Sequence, residues 1–252
     1  MNKEGVLKDH YKRLVALSSR VRRQMVAWLV RKYPELYLRR SSLGTHTGDH
    51  RLKDEVEFLS AHAKLIEIGE GIVGLRERYN LWMLARAAGR FPGALAEVGV
   101  FRGGSAMLLA AAKGTAHLHL FDTFEGMPQT DATHDGVFSA GMFSDTGLDA
   151  VRTRLAPWSN VEFHPGFFPD SARDIDPSLE FKLTNIDVDI RSATLASLEF
   201  FYPRTVQGGF LVVHDYNDCG VPGAKAAVDE FMRGRRETVL QLWDTQALIV
   251  KL

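Results

Sequence analysis

From Pro92-Gly93 onward the chain alternates short apolar runs with helical stretches, and this alternation constrains the fold more than any other feature. Residues 94–100, 117–121, 161–164, 182–188 and 210–213 read as strands. Residues 104–113, 148–155, 193–202 and 223–232 read as the helices between and after them. Strands alternating with helices predict an α/β, Rossmann-like domain: a mostly parallel sheet with helices on both faces. Two last strands, 238–243 and 247–252, flank Asp244-Thr245-Gln246. Such a terminal hairpin makes the last strand of a seven-stranded sheet antiparallel.

Ahead of this region the pattern is helical. Leu7, Tyr11, Leu14, Leu17, Val21, Met25 and Leu29 recur three or four residues apart, and Pro34 and residues 41–48 break the run. Phe58, Leu65 and Ile68, then Leu75, Leu81, Leu84 and Ala87, supply further apolar faces. The expected organisation is therefore a helical N-terminal extension over 1–90 and a catalytic domain over 91–252. The extension either caps a pocket or builds a homo-oligomer interface. Net charge is zero over 252 residues, which gives no global drive towards nucleic acid or acidic membranes. Residues 1–40 nevertheless hold eleven Lys/Arg against three acids, a local +8. That arm suits a partner, an anionic substrate, subunit packing or simply a solvated helix face. The single cysteine, Cys219, excludes a disulfide framework and a thiolate metal cluster. No apolar run approaches the roughly 20 residues of a membrane span, and no cleavable signal is visible, so the expectation is a cytoplasmic protein without a membrane partner.

In open α/β sheets ligands bind outside the carboxyl ends of the strands. Here those ends carry Gly99 to Ser105, Asp122-Thr123, Gly166-Phe167-Phe168, Asp187-Val188-Asp189 and His214-Asp215-Tyr216. Gly99, Gly103 and Gly104 allow backbone to approach a ligand, and Ser105 opens a helix whose N-terminus favours negative charge. Their spacing, Gly-x-x-x-Gly-Gly, differs from the dinucleotide pattern, and no Lys follows to grip phosphate. Glu97 lies inside the strand, where a buried carboxylate needs a partner. A cationic ligand such as a sulfonium amino acid is one, and a structural ion pair is another. Asp122, 23 residues beyond Gly99, suits a ribose diol, although Asp after a strand is also a common turn residue. Asp187, Asp189 and Asp215 converge on one rim, and like charges so close repel unless a cation joins them. Carboxylate oxygens suit a hard divalent cation, Mg²⁺ first, whereas a His214 ligand shifts the preference towards Mn²⁺, Fe²⁺ or Zn²⁺. Helix capping or pairing with Arg191 and Lys225 would equally occupy these acids.

The segments Glu97-Val98-Gly99-Val100-Phe101-Arg102-Gly103-Gly104-Ser105 and Phe121-Asp122-Thr123-Phe124-Glu125-Gly126-Met127-Pro128 resemble the macrocin O-methyltransferase family. So do Ile186-Asp187-Val188-Asp189, Phe201-Tyr202-Pro203-Arg204, Gly208-Gly209, His214-Asp215-Tyr216 and Pro222-Gly223-Ala224. The resemblance spans about residues 70 to 235 and implies a class I fold, S-adenosylmethionine (SAM), a divalent metal and methylation of a sugar or related hydroxyl. It assigns Glu97, Gly99, Gly103, Gly104 and Ser105 to the SAM amino acid, and Asp122 with Thr123 to the ribose. Gly166, Phe168 and Asp170 fall where an adenine-contacting loop is expected. Asp187, Asp215 and His214 stand at metal-ligand positions, although several members carry an aspartate in place of His214. Asp187 and Asp189 are the expected catalytic residues, Asp189 as the base. The glycine-containing loop over 125–147 is long enough to be functional. It offers His134 as an acceptor contact, with Tyr216 as a second. Arg191 departs from the family pattern, which puts the acceptor in question rather than the cofactor. Two other readings remain: a SAM-binding relative with N-methyltransferase or oxygenase-associated chemistry, and a non-catalytic SAM binder.

Overall fold

The computed structural model describes residues 19–34, 37–38, 52–70, 73–131, 133–218, 220, 222–242 and 244–252. Expectations for positions 7–17 and 41–48, and for Cys219 and Trp243, lie outside these residues. The chain divides into two compact units, Met1–Leu75 and Arg76–Leu252, ahead of the boundary at 90 read from the sequence.

In the first unit, helix α1 (Ser19–Lys32) packs on α2 (Val56–Ile68), which follows a 3₁₀ turn at Leu52–Asp54. Val21 and Met25, expected on the packed stripe, are exposed, whereas Ala27 and Val30 are buried. Small Ala27 permits the closer helix approach. Arg31 forks onto both carboxylate oxygens of Glu67. Gly69 ends α2 in the left-handed conformation (φ 87°), where other L-residues are strained.

The second unit opens with α3 (Leu75–Ala88), whose Glu77 and Asn80 side chains bond Thr245 and Gln246 near the C terminus. Those long-range bonds place α3 with the sheet domain. β1 (Ala94–Val98), α4 (Gly104–Ala112), β2 (Leu118–Asp122), α5 (Leu148–Leu155), β3 (Val161–Pro165) and β4 (Phe181–Ile186) follow. Then come α6 (Arg191–Phe201), β5 (Thr205–Val213), α7 (Pro222–Met232), β6 (Val239–Gln241) and β7 (Ala247–Val250). The seven strands are ordered β3-β2-β1-β4-β5-β7-β6. The first five are parallel, and β7 runs antiparallel between β5 and β6. Every residue of β1 and β4 is buried, as expected for central parallel strands covered on both faces. One face packs Phe121, Phe181, Leu198, Phe201, Val228 and Ile249 into a continuous core.

β5 begins five residues earlier than its apolar run suggests. Gly208 (φ 80°) and Gly209 form an irregularity, and the register to β4 shifts between Phe181 and Leu183. A Cβ on Gly208 would stand 2.7 Å from the Phe91 ring, so the glycine admits that ring against the strand. Strand order reverses between β1 and β4, and the crevice at that switch faces the carboxyl ends of both.

Candidate active site

The glycine turn after β1 is shaped by close backbone contact. Gly99 has φ 86°, and a Cβ there would lie 1.8 Å from the Asp187 carbonyl oxygen. No L side chain fits, so the turns after β1 and β4 are pressed together across the switch point. Gly103 (φ 84°) caps α4 and bonds back to the Val100 carbonyl at 2.8 Å. Gly104 and Ser105 then open the helix with its first amides directed outward, an anion-favouring end. Glu97 is fully buried beneath this turn. The Asn185 amide donates to one carboxylate oxygen at 2.9 Å, and the other has no partner among the described residues. Burial pushes its carboxyl up to about 8, while the Ser105 and Asn185 side chains pull it partly back. A buried carboxylate with an orphaned oxygen, beside a glycine backbone that excludes Cβ atoms, fits a ligand carrying positive charge.

Asp122 has a structural task that the sequence did not reveal. Its Oδ2 accepts the amides of Val100 (2.6 Å) and Phe101 (2.7 Å), and its Oδ1 accepts the Phe124 amide (2.7 Å). It therefore ties the loop after β1 to the loop after β2. A carboxylate offers about four acceptor positions; three take amides, and the Thr123 hydroxyl stands 3.4 Å from Oδ1 beside the fourth. Thr123 turns inward on the same loop, donating to the Gly126 carbonyl at 2.6 Å.

Beyond β3, Gly166 (φ 129°) donates its amide to the Asp122 carbonyl at 2.9 Å. Phe168, expected to face the ligand, instead stacks on Phe201 in the core (5.6 Å, 16°), because its neighbours Phe121, Phe200 and Phe201 form an apolar socket. Phe167 is the exposed ring of this loop. Asp170 is exposed and paired with Arg173 at 2.7 Å.

The acidic rim assembles from β4, β5 and α3. His214 Nδ1 lies 3.5 Å from Asp187 Oδ1 and 3.1 Å from Asp215 Oδ1, and Nε2 lies 3.5 Å from Glu77 Oε1. Yet neither buried ring nitrogen is aligned for a hydrogen bond to any described residue. One ligand atom each from Asp187, His214 and Asp215 lie within 4.8 Å of one another. Burial pushes the Asp187 carboxyl up to about 6 against the pull of His214, with Asp215 and Glu77 adding to the rise. Burial, and then Asp187, raise Asp189 well above the usual carboxylate range. The surrounding carboxylates outweigh burial and raise His214, and His214 in turn holds Asp215 low. Asp189 (φ 61°) and Asp215 (φ 60°) both occupy the left-handed region, a strain that Asp tolerates better than most residues. Two carboxylates and one imidazole with unsatisfied nitrogens form a donor set that fits a divalent cation.

Glu77 was missed in the sequence. Its signal was an acid at helical spacing from Leu81, Leu84 and Ala88, inside the buried stripe of α3. The two expected acceptor contacts separate. His134 is exposed and bonded to Asp131 at 2.9 Å. Tyr216 belongs to the core, and its hydroxyl is engaged by Asp229 (2.7 Å) and Lys225 (3.2 Å). It offers no free polar group to an acceptor. The loop over 125–147 is anchored at both ends of the site. Asp135, buried, accepts the Arg191 amide at the start of α6 (2.9 Å), and Thr146 and Asp145 hold Phe101 and Arg102.

The sheet order, the glycine turn and the acids beyond β2 and β4 together define a class I, SAM-dependent methyltransferase. Residues 71–244 match the family model of macrocin O-methyltransferase, and the chain belongs to that family of SAM-dependent O-methyltransferases. It is 29% identical over 191 residues to a tetracenomycin 4'-O-methyltransferase of Streptomyces olivaceus, whose full name specifies an 8-demethyl-8-(2,3-dimethoxy-α-L-rhamnosyl) substrate; the match covers 67% of this chain and 69% of that one. It is 26% identical to the mycinamicin III 3''-O-methyltransferase of Micromonospora griseorubida, over 65% of this chain and 70% of that one. Among solved structures, the O-methyltransferase NovP superposes with a TM-score of 0.62 at 22% identity, covering 72% of this chain and 81% of that one. The calicheamicin methyltransferase CalS11 gives 0.59 at 18%, covering 90% of each chain. Among the described residues, no helix is long and apolar enough to cross a membrane.

Proposed function

We propose that this enzyme methylates a hydroxyl of a sugar or natural-product glycoside, with a divalent cation, Mg²⁺ or Mn²⁺, held by Asp187, His214 and Asp215. The observation that carries the cation is His214: its buried ring nitrogens stand among Asp187, Asp215 and Glu77 without an aligned hydrogen bond. The sugar comes from the relatives, whose names specify a rhamnosyl tetracenomycin and mycinamicin III. SAM supplies the methyl group, and a bound cation would lower the pKa of an acceptor oxygen.

The chain's own residues do the rest. Glu97 and Ser105 take the amino-acid end of SAM, Gly99, Gly103 and Gly104 let backbone approach it, and Asp122 takes the ribose. Thr123, Gly166 and Asp170 lie on the loops flanking the nucleoside. The acceptor oxygen attacks the methyl carbon as the carbon–sulfur bond breaks, and its proton passes to Asp189. Asp189→Asn is expected to lower turnover at least about 100-fold while leaving SAM affinity unchanged. Unchanged turnover removes Asp189 from the role.

A second reading has one observation in its favour. The carboxylates around His214 raise it, so an imidazolium can itself neutralise the rim without a metal. Release of S-adenosylhomocysteine from a glycoside panel, with EDTA and then with added Mg²⁺ or Mn²⁺, separates the two. Activity lost in EDTA and restored by the cation supports the metal; full activity in EDTA supports the imidazolium. No release with any glycoside overturns the acceptor class.

A further inference from the structure

A second cluster of side chains able to ligate a metal runs along β2 and β3, from the amino end of β2 towards its carboxyl end. His117 and His119, two residues apart on β2 and its approach, point to one face of the strand. Glu162 on the edge strand β3 is paired directly across from His119, and His164 is paired with Phe121. His117, His119 and Glu162 each offer a ligand atom within 4.8 Å of the others. His117 is five residues from Asp122 along the strand, roughly 16 Å at the usual rise, whereas His164 stands level with Phe121, next to Asp122.

Without an ion, His117 hydrogen-bonds Glu162 and His119 hydrogen-bonds His164, and these contacts keep the ligand atoms gathered. His117 Nδ1 lies 2.7 Å from Glu162 Oε1, His119 Nδ1 lies 3.7 Å from Glu162 Oε2, and His119 Nδ1 lies 3.0 Å from His164 Nε2. Ligands on a tetrahedral Zn²⁺, with bonds of about 2.0–2.1 Å, stand about 3.4 Å apart, and the observed values straddle that figure. The rings are held in place: His119 stacks on His164 (5.3 Å, 19°), His164 stacks on Phe121 (4.5 Å, 17°), and Phe181 meets His119 edge-on. His119 is buried, whereas His117 and Glu162 are exposed, which leaves a route of entry for an ion.

We propose that His117, His119 and Glu162, with His164 as fourth ligand, form a site for a borderline transition metal of the Zn²⁺ class that fastens the edge strand β3 to β2. Three imidazoles and one carboxylate select such a metal over Mg²⁺, in contrast to the carboxylate-rich rim. The test uses the full chain with its active-site donors removed, Asp187→Asn together with His214→Asn, checked for native circular dichroism. This protein is expected to bind one equivalent of Zn²⁺ and to give the intense visible absorption of tetrahedral Co²⁺. Adding His117→Gln and Glu162→Gln is expected to weaken Zn²⁺ at least about 10-fold and abolish the Co²⁺ band. No Zn²⁺ bound after removal of the active-site donors, or unchanged affinity after loss of His117 and Glu162, overturns the proposal. If the combined variant does not fold, the wild-type chain serves: Co²⁺ must shift the imidazole resonances of His117, His119 and His164, and unmoved resonances also overturn it.

Discussion

The turn after β1 and the rim after β4 and β5 lie side by side, yet they are built in opposite ways. The turn is satisfied: Asp122 collects three amides, and glycine takes the positive φ angles at Gly99 and Gly103. The rim is strained: four acids and a histidine crowd together, two aspartates adopt left-handed backbone, and the His214 nitrogens lack aligned hydrogen bonds. The backbone of the first region is held before any ligand arrives, with only the Glu97 oxygen beneath it left over, and the second region stores repulsion that a cation or substrate can relieve. Substitutions should accordingly destabilise the first and relax the second.

The largest effect is expected at the turn. Gly99→Ala places a methyl group against the Asp187 carbonyl and forces φ 86° on alanine. Thermal or urea unfolding should register a loss above about 3 kcal/mol, with no SAM binding. A stable, SAM-binding variant would mean that the two turns are not held in contact. Next comes Asp122→Asn, which replaces one acceptor oxygen by a donor and leaves at least one amide unpaired. About 2 kcal/mol should be lost. A smaller loss would show that water substitutes readily for the carboxylate.

At the rim the sign reverses. The Asp187 carboxyl is pushed up to about 6, so ionising it opposes folding, and the metal-free protein loses stability as pH rises through that value. Asp187→Asn should therefore stabilise the metal-free protein by about 1 kcal/mol above pH 7, with no gain below pH 4, while abolishing turnover. A destabilised variant above pH 7 would sink the contrast between the two regions. The smallest effect is at Glu97, raised from 4.5 to about 8. The unliganded protein is most stable below the lower value and loses stability as pH rises towards the upper one. A cationic ligand prefers the ionised form, so SAM should release a proton on binding near pH 7. In Glu97→Gln, calorimetry in buffers of different ionisation heat should show that release gone and affinity reduced about 3-fold. Unaltered proton release would place the titration elsewhere.

Strand alternation was legible in the sequence because parallel strands buried on both faces read as plain apolar runs, and Leu148–Leu155 matched its expected span. The early start of β5 was hidden by Gly208-Gly209, which reads as a break and is a bulge. The residue types at the strand ends announced the rim, but Glu77 arrives from a helix far away in the chain, and no local pattern links it to His214. Phe168 and Tyr216 pack inward for a reason no local pattern carries. An aromatic residue following a strand can turn outward or inward, and the socket of Phe121, Phe200 and Phe201, like the bonds from Asp229 and Lys225, exists only after folding.

The contact between Gly99 and the Asp187 carbonyl also bears on how such an enzyme changes substrates. Peptide atoms in van der Waals contact, not adjustable side chains, set the spacing between the cofactor turn and the acidic rim. Substitution at neighbouring positions cannot easily lengthen or shorten that distance. Change that leaves this spacing intact falls to segments outside the contact, such as the loop over 125–147. Its buried Asp135 and its attachments to Phe101 and Arg102 leave the stretch between them free to vary while the chemistry behind it stays fixed in place.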